Sequence, residues 1–182
     1  MTVIVTTSRR PSRRSRSLVK DLASVMPGAL RLTRGHKSLS DLAKEALFVG
    51  ADRVIVICER RGNPGVIRVY EPLASPPALG EKAVFIVAGV RLAREAGAGR
   101  AVRPRYLLVK ASGGPKAEEF GEVFMSAFHA RVYREDLEGE SVVAEIECSG
   151  DIISLSFKQA GRLVGPILKF SRVIIGHGRA RG

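Results

Sequence analysis

The sequence predicts an α/β fold made of two similar halves, and three observations lead to that prediction. Apolar residues make up 45% of the 182 residues and are spread along the chain, which is enough to bury a core without disulfides. Strand-like runs of β-branched residues alternate with segments of helical periodicity. A strand, a Ser-x-x-Pro sequence and an amphipathic helix follow one another twice, at residues 5–12 and 109–116 onward. The repeat favours a pseudo-duplicated chain, although chance could also produce a match of eight positions.

The first half shows clear start and stop signals. Residues 2–7 predict a strand, followed by a basic loop and a helix capped by Ser15 or Ser17 that stops at Pro27. Ser38 and Asp41 predict a capping box for a second helix. The remaining elements are a short strand at 29–32, a buried strand at 54–58, a turn at 59–65, a hairpin strand at 66–70 and a proline-containing linker at 71–80.

The second half repeats this alternation. Pro115 is at the favoured first position of a helix, and a stripe of phenylalanines follows it. The other predicted elements are strands at 84–90 and 105–110, a helical turn at 91–99, four strands around 132, 142–148, 152–157 and 167–175, and a flexible tail at 176–182. We therefore divide the chain into a basic N-terminal half, 1–80, and a C-terminal half, 81–182.

The net charge of +12 predicts a polyanionic partner. Residues 1–70 carry 14 basic and 5 acidic side chains, whereas residues 71–182 carry 16 and 13. Nucleic acid is the first candidate and an anionic membrane the second. No apolar run reaches the roughly 20 residues of a membrane span and no secretory signal is recognisable, so we expect no membrane association and a cytoplasmic protein. A single asparagine and a single glutamine are typical of a hot-growing source.

An arginine cluster directly after the first strand is the sharpest feature of the sequence. A guanidinium group holds phosphate oxygens in a bidentate fork and stays charged at any working pH. Serines and backbone N–H groups at the following helix start would add donors for an anion. The alternative interpretation is an ordinary solvated basic loop. The cluster consists of Arg9, Arg10, Arg13, Arg14 and Arg16.

Further cations extend this cluster. Loops at one edge of an α/β sheet gather on one side of the molecule, so loops distant in sequence are predicted to lie together. For the hairpin pair Arg60 and Arg61, an ordinary charged turn is an equally good interpretation. The additional RNA-binding candidates are Lys20, Arg31, Arg34, Lys37, Arg60 and Arg61.

Signals of catalysis are weak. The three histidines His36, His129 and His177 are far apart, and His129 is interpreted as complementing the dipole of the helix that it ends. No phosphate-loop or metal-ligand spacing is present. Cys58 and Cys148 are interpreted as buried thiols, with a disulfide between them as the alternative. We therefore predict a non-enzyme without metal, cofactor or small-molecule substrate. Aromatic residues are only 5% of the chain, so few side chains can stack on bases; the candidates are Tyr70, Tyr106 and Tyr133.

The opening motif resembles the start of the Brix domain, particularly in the subgroup that serves the small-subunit processome. Residues 52–70 are similar to the matching Brix segment, and Gly165-Pro166 is similar to a late Gly-Pro motif of the family, although Ile167 stands where an arginine is usual. The residues that carry the resemblance are Val5-Thr6-Thr7-Ser8-Arg9-x-Pro11-Ser12, Leu18 to Pro27-Gly28-Ala29, Arg34-Gly35 and Glu59-x-Arg61-Gly62-x-Pro64.

The resemblance implies a fold, a role and partners. It implies two α/β halves similar to the anticodon-binding domains of some tRNA synthetases, in a chain like the short archaeal members. It implies a ribosome biogenesis factor that binds pre-ribosomal RNA through its basic N-terminal half, with box C/D guide particles and ribosomal proteins as further partners. The alternative is a protein–protein scaffold module within a pre-ribosomal particle.

Overall fold

A computed structural model describes residues 2–176 and the backbone of Ala180–Arg181. A 3-10 helix covers Glu135–Glu140. The regular elements in chain order are β1 (Val3–Thr7), α1 (Arg13–Val25), β2 (Ala29–Arg31), α2 (Leu39–Phe48), β3 (Arg53–Arg60), β4 (Asn63–Ala74), β5 (Pro77–Arg91), β6 (Tyr106–Ser112), α3 (Pro115–Phe128), β7 (Arg131–Val132), β8 (Ser141–Ser149), β9 (Ile152–Gln159), β10 (Arg162–Leu163), β11 (Ile167–Ile175) and β12 (Ala180–Arg181).

One mixed sheet runs through the described chain in the order β2-β1-β3-β4-β5-β11-β9-β8-β6-β7. β5 and β11 pair antiparallel in the middle of the sheet. β1 lies parallel between β2 and β3, and β6 lies parallel between β7 and β8. The strand pairing outward from β5 therefore follows the same pattern as the pairing outward from β11.

The helices cover the sheet unequally. α1 and α3 pack on one face over the larger core, where the ring of Phe85 lies 5.4 Å from that of Phe120 and 5.8 Å from that of Phe170. α2 packs on the opposite face over Ile4 and Val54. The described part of the chain therefore has helices on both faces of its first half.

Most of the predicted elements are confirmed. Ser38 and Asp41 form the capping box of α2, and Pro115 opens α3. The strands after α3 lie where the apolar runs predicted them. The helical turn predicted at 91–99 is present as one turn, in which the N–H of Ala96 donates to Leu92 O at 2.9 Å and Gly97 follows with a φ of 66°. The predicted flexible tail lies mostly outside the described residues, and its described part, β12, pairs with β5.

Two predictions about local structure are wrong. The linker at 71–80 is a continuous hairpin of β4 and β5 that turns at a cis Ser75–Pro76 bond, because Ala78 and Leu79 have buried places in the sheet. α1 begins earlier than predicted, because the hydroxyl of Ser12 accepts the backbone N–H of Ser15 and caps the helix there.

Candidate polyanion-binding groove

The carboxyl ends of the first three parallel strands meet at one edge of the sheet. The N–H of Ser8, after β1, donates to Ile57 O in β3 at 2.8 Å. The N–H of Leu32, after β2, donates to Val5 O in β1 at 3.0 Å. The loops that follow these strands carry the arginine cluster, the cations around Arg34 and the Arg60-Arg61 pair. The topology therefore brings them to the same edge, as the sequence predicted for the first two.

A groove of about 1510 Å³ opens between α1, β2 and the loops at this edge. Residues 93 and 98–100, from the connector between β5 and β6, form its other wall. We call it the basic groove. Asp21 is the one acidic residue among its described lining residues. The cations that line it are Arg9, Arg10, Arg16, Lys20, Arg31, Arg34 and Arg100.

Six of the eleven predicted site residues therefore line one surface, and five do not. Arg13 is exposed at the start of α1, and Lys37 forms an ion pair with Glu45 at 3.5 Å. Arg60 and Arg61 are exposed at the β3–β4 turn. Arg14 points to the connector, where it pairs with Glu95.

The arginine cluster is only partly a loop. Arg13, Arg14 and Arg16 lie in the first turn of α1, which contains no acidic residue. Cations at a helix N-terminus are unfavourable because the positive end of the helix dipole lies there. These arginines therefore destabilise the helix start, and residues that destabilise a fold are typically retained for binding.

A carboxylate of the protein already occupies the start of α1. Glu59, at the end of β3, accepts hydrogen bonds from the backbone N–H of Ser12 and from the hydroxyl of Ser15, the latter at 2.6 Å. Burial acts to raise the pKa of Glu59, but these hydrogen bonds outweigh it and lower the pKa. Glu59 therefore takes two of the donors that the sequence offered to a phosphate at this helix start.

Arg34 is the most buried cation of the basic groove. It is 7% exposed, and its Nε donates to the carbonyl of Lys37 at 2.7 Å, which closes the loop between β2 and α2. Burial, followed by the nearby charge on Arg9, lowers the pKa of Arg34. No ion pair to a carboxylate joins Arg34 among the described residues, so an external anion would offset this repulsion.

Two contacts from α1 hold the connector in place. Arg14 Nη2 donates to Glu95 Oε2 at 2.8 Å and to Val90 O at 2.7 Å. Asp21 Oδ2 accepts the backbone N–H of Ala93 at 2.8 Å. Burial is the main cause that raises the pKa of Asp21. These contacts fix the wall that carries Arg100.

Sequence reasoning missed Arg100 and its neighbour Arg103, because the Gly97-Ala98-Gly99 sequence before them reads only as a stop signal. Arg100 lines the basic groove, and both arginines line its continuation. Arg10 and Arg103 hold positive φ angles of 53° and 30°, a conformation in which glycine or asparagine is favoured. Strained non-glycine residues of this kind cluster at functional sites.

The predicted stacking tyrosines are engaged elsewhere. Tyr70 is 2% exposed. The guanidinium of Arg131 lies 4.7 Å from the ring centre of Tyr106, and Lys110 lies 5.0 Å from that of Tyr133. The hydroxyl of Tyr133 also donates to Glu138.

The expected role of His129 at the end of α3 is not supported. Partial burial, followed by the charge on Arg53, lowers the pKa of His129 and disfavours the imidazolium form. Arg53 provides the cation instead: its Nε donates to Ala127 O at 3.2 Å in the last turn of α3. Among the described residues, no cluster of His, Cys, Asp or Glu could hold a metal ion. No described helix is long and apolar enough to cross a membrane.

Fold and groove together define a mixed α/β protein with one large sheet and a cationic cleft beside its first strands. No family model matches the sequence. A probable Brix domain-containing ribosomal biogenesis protein of Aeropyrum pernix is 43% identical over 172 residues, which cover 92% of this chain and 94% of that protein. A protein of the same description from Pyrobaculum aerophilum is 33% identical over 125 residues, 67% of each chain. The chain therefore belongs to the Brix-domain family of ribosomal biogenesis proteins.

A solved structure at high identity agrees with this assignment, and a second one shares the fold. The crystal structure of a probable ribosomal biogenesis protein from Aeropyrum pernix superposes with a TM-score of 0.85 at 43% identity, covering 93% of this chain and 94% of that one. An archaeal Imp4-like protein shares the fold with a TM-score of 0.66 at 23% identity, covering 95% of this chain and 99% of that one.

Proposed function

We propose that this protein is a non-enzymatic ribosome biogenesis factor that binds pre-ribosomal RNA in the basic groove. One observation carries the proposal: among the described residues that line the groove, seven are Arg or Lys and one, Asp21, is a carboxylate. That carboxylate is hydrogen-bonded to the connector. A cleft with this excess of positive charge attracts a phosphate chain. Binding of that chain would explain why the protein retains a buried arginine and a strained one despite their energetic cost.

RNA is the polyanion that best fits the family. Relatives are named ribosomal biogenesis proteins. Guanidinium groups bind mainly the phosphate backbone of RNA, so we expect little sequence preference. The protein would assist rRNA processing and assembly in the cytoplasm, with ribosomal proteins and box C/D guide particles as further partners. Arg9, Arg10 and Arg16 would hold phosphates, and Arg60 and Arg61 would extend the track along the same edge of the sheet.

We assign Arg14 and Lys37 a supporting role in this site. Both reach carboxylates of the protein itself, Glu95 and Glu45 respectively. Arg13 is exposed and remains a candidate phosphate contact.

We also propose that the two halves arose by duplication, as in the fold that the sequence motif predicted. The matching strand order outward from β5 and β11 supports this proposal. The strand pairing favours a boundary in the connector at 92–105 over the boundary at residue 80, because residue 80 lies within β5. The loop after β6 has Gly113 and Gly114 where the loop after β1 has Arg9 and Arg10. RNA would therefore bind to the first half only.

Salt dependence tests the site. With about five phosphate contacts, binding to a single-stranded rRNA fragment should follow a log–log salt slope of roughly −3.5. The triple variant Arg9→Ala, Arg16→Ala, Arg31→Ala should reduce that slope by roughly 2 units. A matched variant that removes three exposed cations elsewhere, Lys44→Ala, Lys169→Ala and Arg172→Ala, should keep most of it. Equal losses in both variants would contradict the groove, and a flat salt response would contradict RNA binding.

A protein–protein scaffold is the second candidate function. The apolar side chains of Val132 and Ile174, which are 63% and 45% exposed, favour it. Pull-down of the tagged protein before and after nuclease treatment separates the two functions. Partners that survive nuclease support the scaffold, and partners lost with the RNA support the groove.

A further inference from the structure

The basic groove continues toward the amino ends of β1 and β2. A second cleft of about 590 Å³ shares Leu30 and Arg100 with it and runs on to Thr2 and Arg103. The basic groove reaches Thr7 at the end of β1, whereas its continuation reaches the residue before β1. The two clefts therefore follow the outer side of β2 for the length of β1, roughly 15 Å.

This continuation is apolar as well as cationic. Leu30 and Val49 line it and are 47% and 39% exposed. Phe48, the residue before Val49 and the last of α2, is 90% exposed. Burial of such a ring ordinarily stabilises a folded protein, and the exposed position of Phe48 forgoes that stabilisation. Scattered exposed apolar residues are common, but Leu30 and Val49 line one cleft together with Arg100 and Arg103, and Phe48 directly precedes Val49.

The backbone under Phe48 is well fixed. The N–H of Val49 donates to Glu45 O at 3.1 Å, and that of Ala51 donates to Ala46 O at 2.8 Å. The following N–H of Asp52 donates to Thr2 O at 2.8 Å. The exposed ring therefore stands on an ordered helix end that is tied to the first strand.

We propose that Phe48 stacks on a base of a single-stranded RNA whose backbone leaves the basic groove past Arg100 and Arg103. This inference rests on the proposed function and adds to it a contact with bases. Two features favour RNA over a protein partner at this place: the apolar residues continue the cationic groove, and arginines line the same stretch. An aromatic face accepts any base, so the contact adds affinity without sequence preference.

The arginines of this stretch are held by the second half of the chain. The side-chain amide of Gln159 bonds both ways with the backbone of Val102, accepting its N–H at 2.8 Å and donating to its carbonyl at 3.0 Å. The N–H of Gly99 donates to Leu163 O at 2.8 Å. The connector therefore keeps Arg100 and Arg103 beside the helix end that carries Phe48.

A pair of polymers tests the stack. The probes are a fluorescein-labelled oligouridylate of roughly 12 nucleotides and inorganic polyphosphate, which has the charge but no bases. Phe48→Leu should weaken oligouridylate binding by roughly 5- to 100-fold and leave polyphosphate binding unchanged within about twofold. Phe48→Tyr should bind both polymers as wild type does. The salt slope of Phe48→Leu should equal that of wild type, because no ionic contact is lost.

Each other outcome overturns the inference in a recognisable way. If Phe48→Leu keeps full RNA affinity while the triple variant Arg9→Ala, Arg16→Ala, Arg31→Ala is impaired, Phe48 does not stack on a base, and the basic groove remains the RNA-binding site. Equal weakening on RNA and polyphosphate means local damage to the groove. Loss of a ribosomal protein from Phe48→Leu, with RNA affinity intact, assigns the residue to a protein interface. Failure of wild type to bind oligouridylate removes the proposed function as well. Val132→Ala, an exposed apolar change on β7, is the control.

Discussion

Arg14 and Glu95 form a two-pronged ion pair between α1 and the connector. Arg14 Nη2 lies 2.8 Å from Glu95 Oε2, and Nη1 contacts Oε1. Glu95 also accepts the backbone N–H of Leu92 at 2.9 Å. The hydrogen bonds from Arg14 lower the pKa of the Glu95 carboxyl more than any other contact does. Arg14 therefore stabilises the groove wall, whereas Arg9, Arg10 and Arg16 line the groove itself.

Replacing Arg14 should separate this structural role from binding. We expect Arg14→Ala and Glu95→Gln to lower the melting temperature by a few degrees each, because either change opens the connector. RNA affinity should fall moderately with the salt slope nearly unchanged, since a positioned wall is lost and no phosphate contact. Thermal melts and salt titrations of both variants measure this. A slope reduced in Arg14→Ala alone would mean that Arg14 contacts phosphate after all.

Gly165 is fixed by close packing. A Cβ at this position would lie 2.8 Å from Val25 Cγ1 in α1 and 3.0 Å from Phe157 Cβ in β9. Both neighbours are buried, so neither can move cheaply. We expect Gly165→Ala to destabilise the protein by about 1–3 kcal/mol. Denaturant unfolding measures the loss, with Gly161→Asn, at an open turn with a φ of 73°, as the tolerated control. Wild-type stability in Gly165→Ala would contradict this packing.

The fold was largely predictable from local signals. Capping residues, helix stripes and β-branched runs placed α2, α3 and most strands, because each signal lies within the element that it specifies. The errors involve distant residues. Glu59 reaches the start of α1 from 47 residues away, and the hairpin at 71–80 depends on burial of Leu79 against α2. The prolines of that segment predicted a linker because proline is ordinarily unfavourable inside a strand. Whether a sheet tolerates them depends on packing against distant residues, which a local pattern does not show.

The candidate site was predicted in part for the same reason. Strand topology alone brings Arg9, Arg31 and Arg34 together, so sequence reasoning found them. Arg100 joins them only because the connector folds back onto α1, a contact that no local pattern records. Phe48 escaped notice because it ends a helix whose buried stripe, Leu42, Ala43 and Ala46, already explains the apolar periodicity.

Arg53 should be essential for stability and neutral for RNA binding. Its side chain is 8% exposed, and it donates to Asp52 O at 2.8 Å and to the last turn of α3. Removing a buried charged donor leaves these carbonyls unpaired. We expect Arg53→Ala to lose about 3 kcal/mol in denaturant unfolding, with Arg53→Lys intermediate because it keeps the charge but not the fork. A folded Arg53→Ala of unchanged stability would show that these contacts are dispensable.

His129 should make the protein less stable in mild acid. Its pKa is lowered from the ordinary 6.5, chiefly by burial and then by Arg53, so below that pH the unfolded chain binds more protons than the folded one. The stability associated with neutral His129 is complete above pH 6.5 and declines as the pH falls below it.

The variant His129→Asn tests this pH dependence. An asparagine side chain does not titrate, and asparagine tolerates the left-handed backbone that His129 adopts at a φ of 52°. The difference in melting temperature between wild type and His129→Asn should therefore shift slightly, by about a degree or less because His129 is partly exposed to solvent, in favour of the variant as the pH falls from about 7.5 to about 5.5. Acidic groups common to both proteins cancel in the comparison. A constant difference over that range would show that the imidazole titrates alike in the folded and unfolded states.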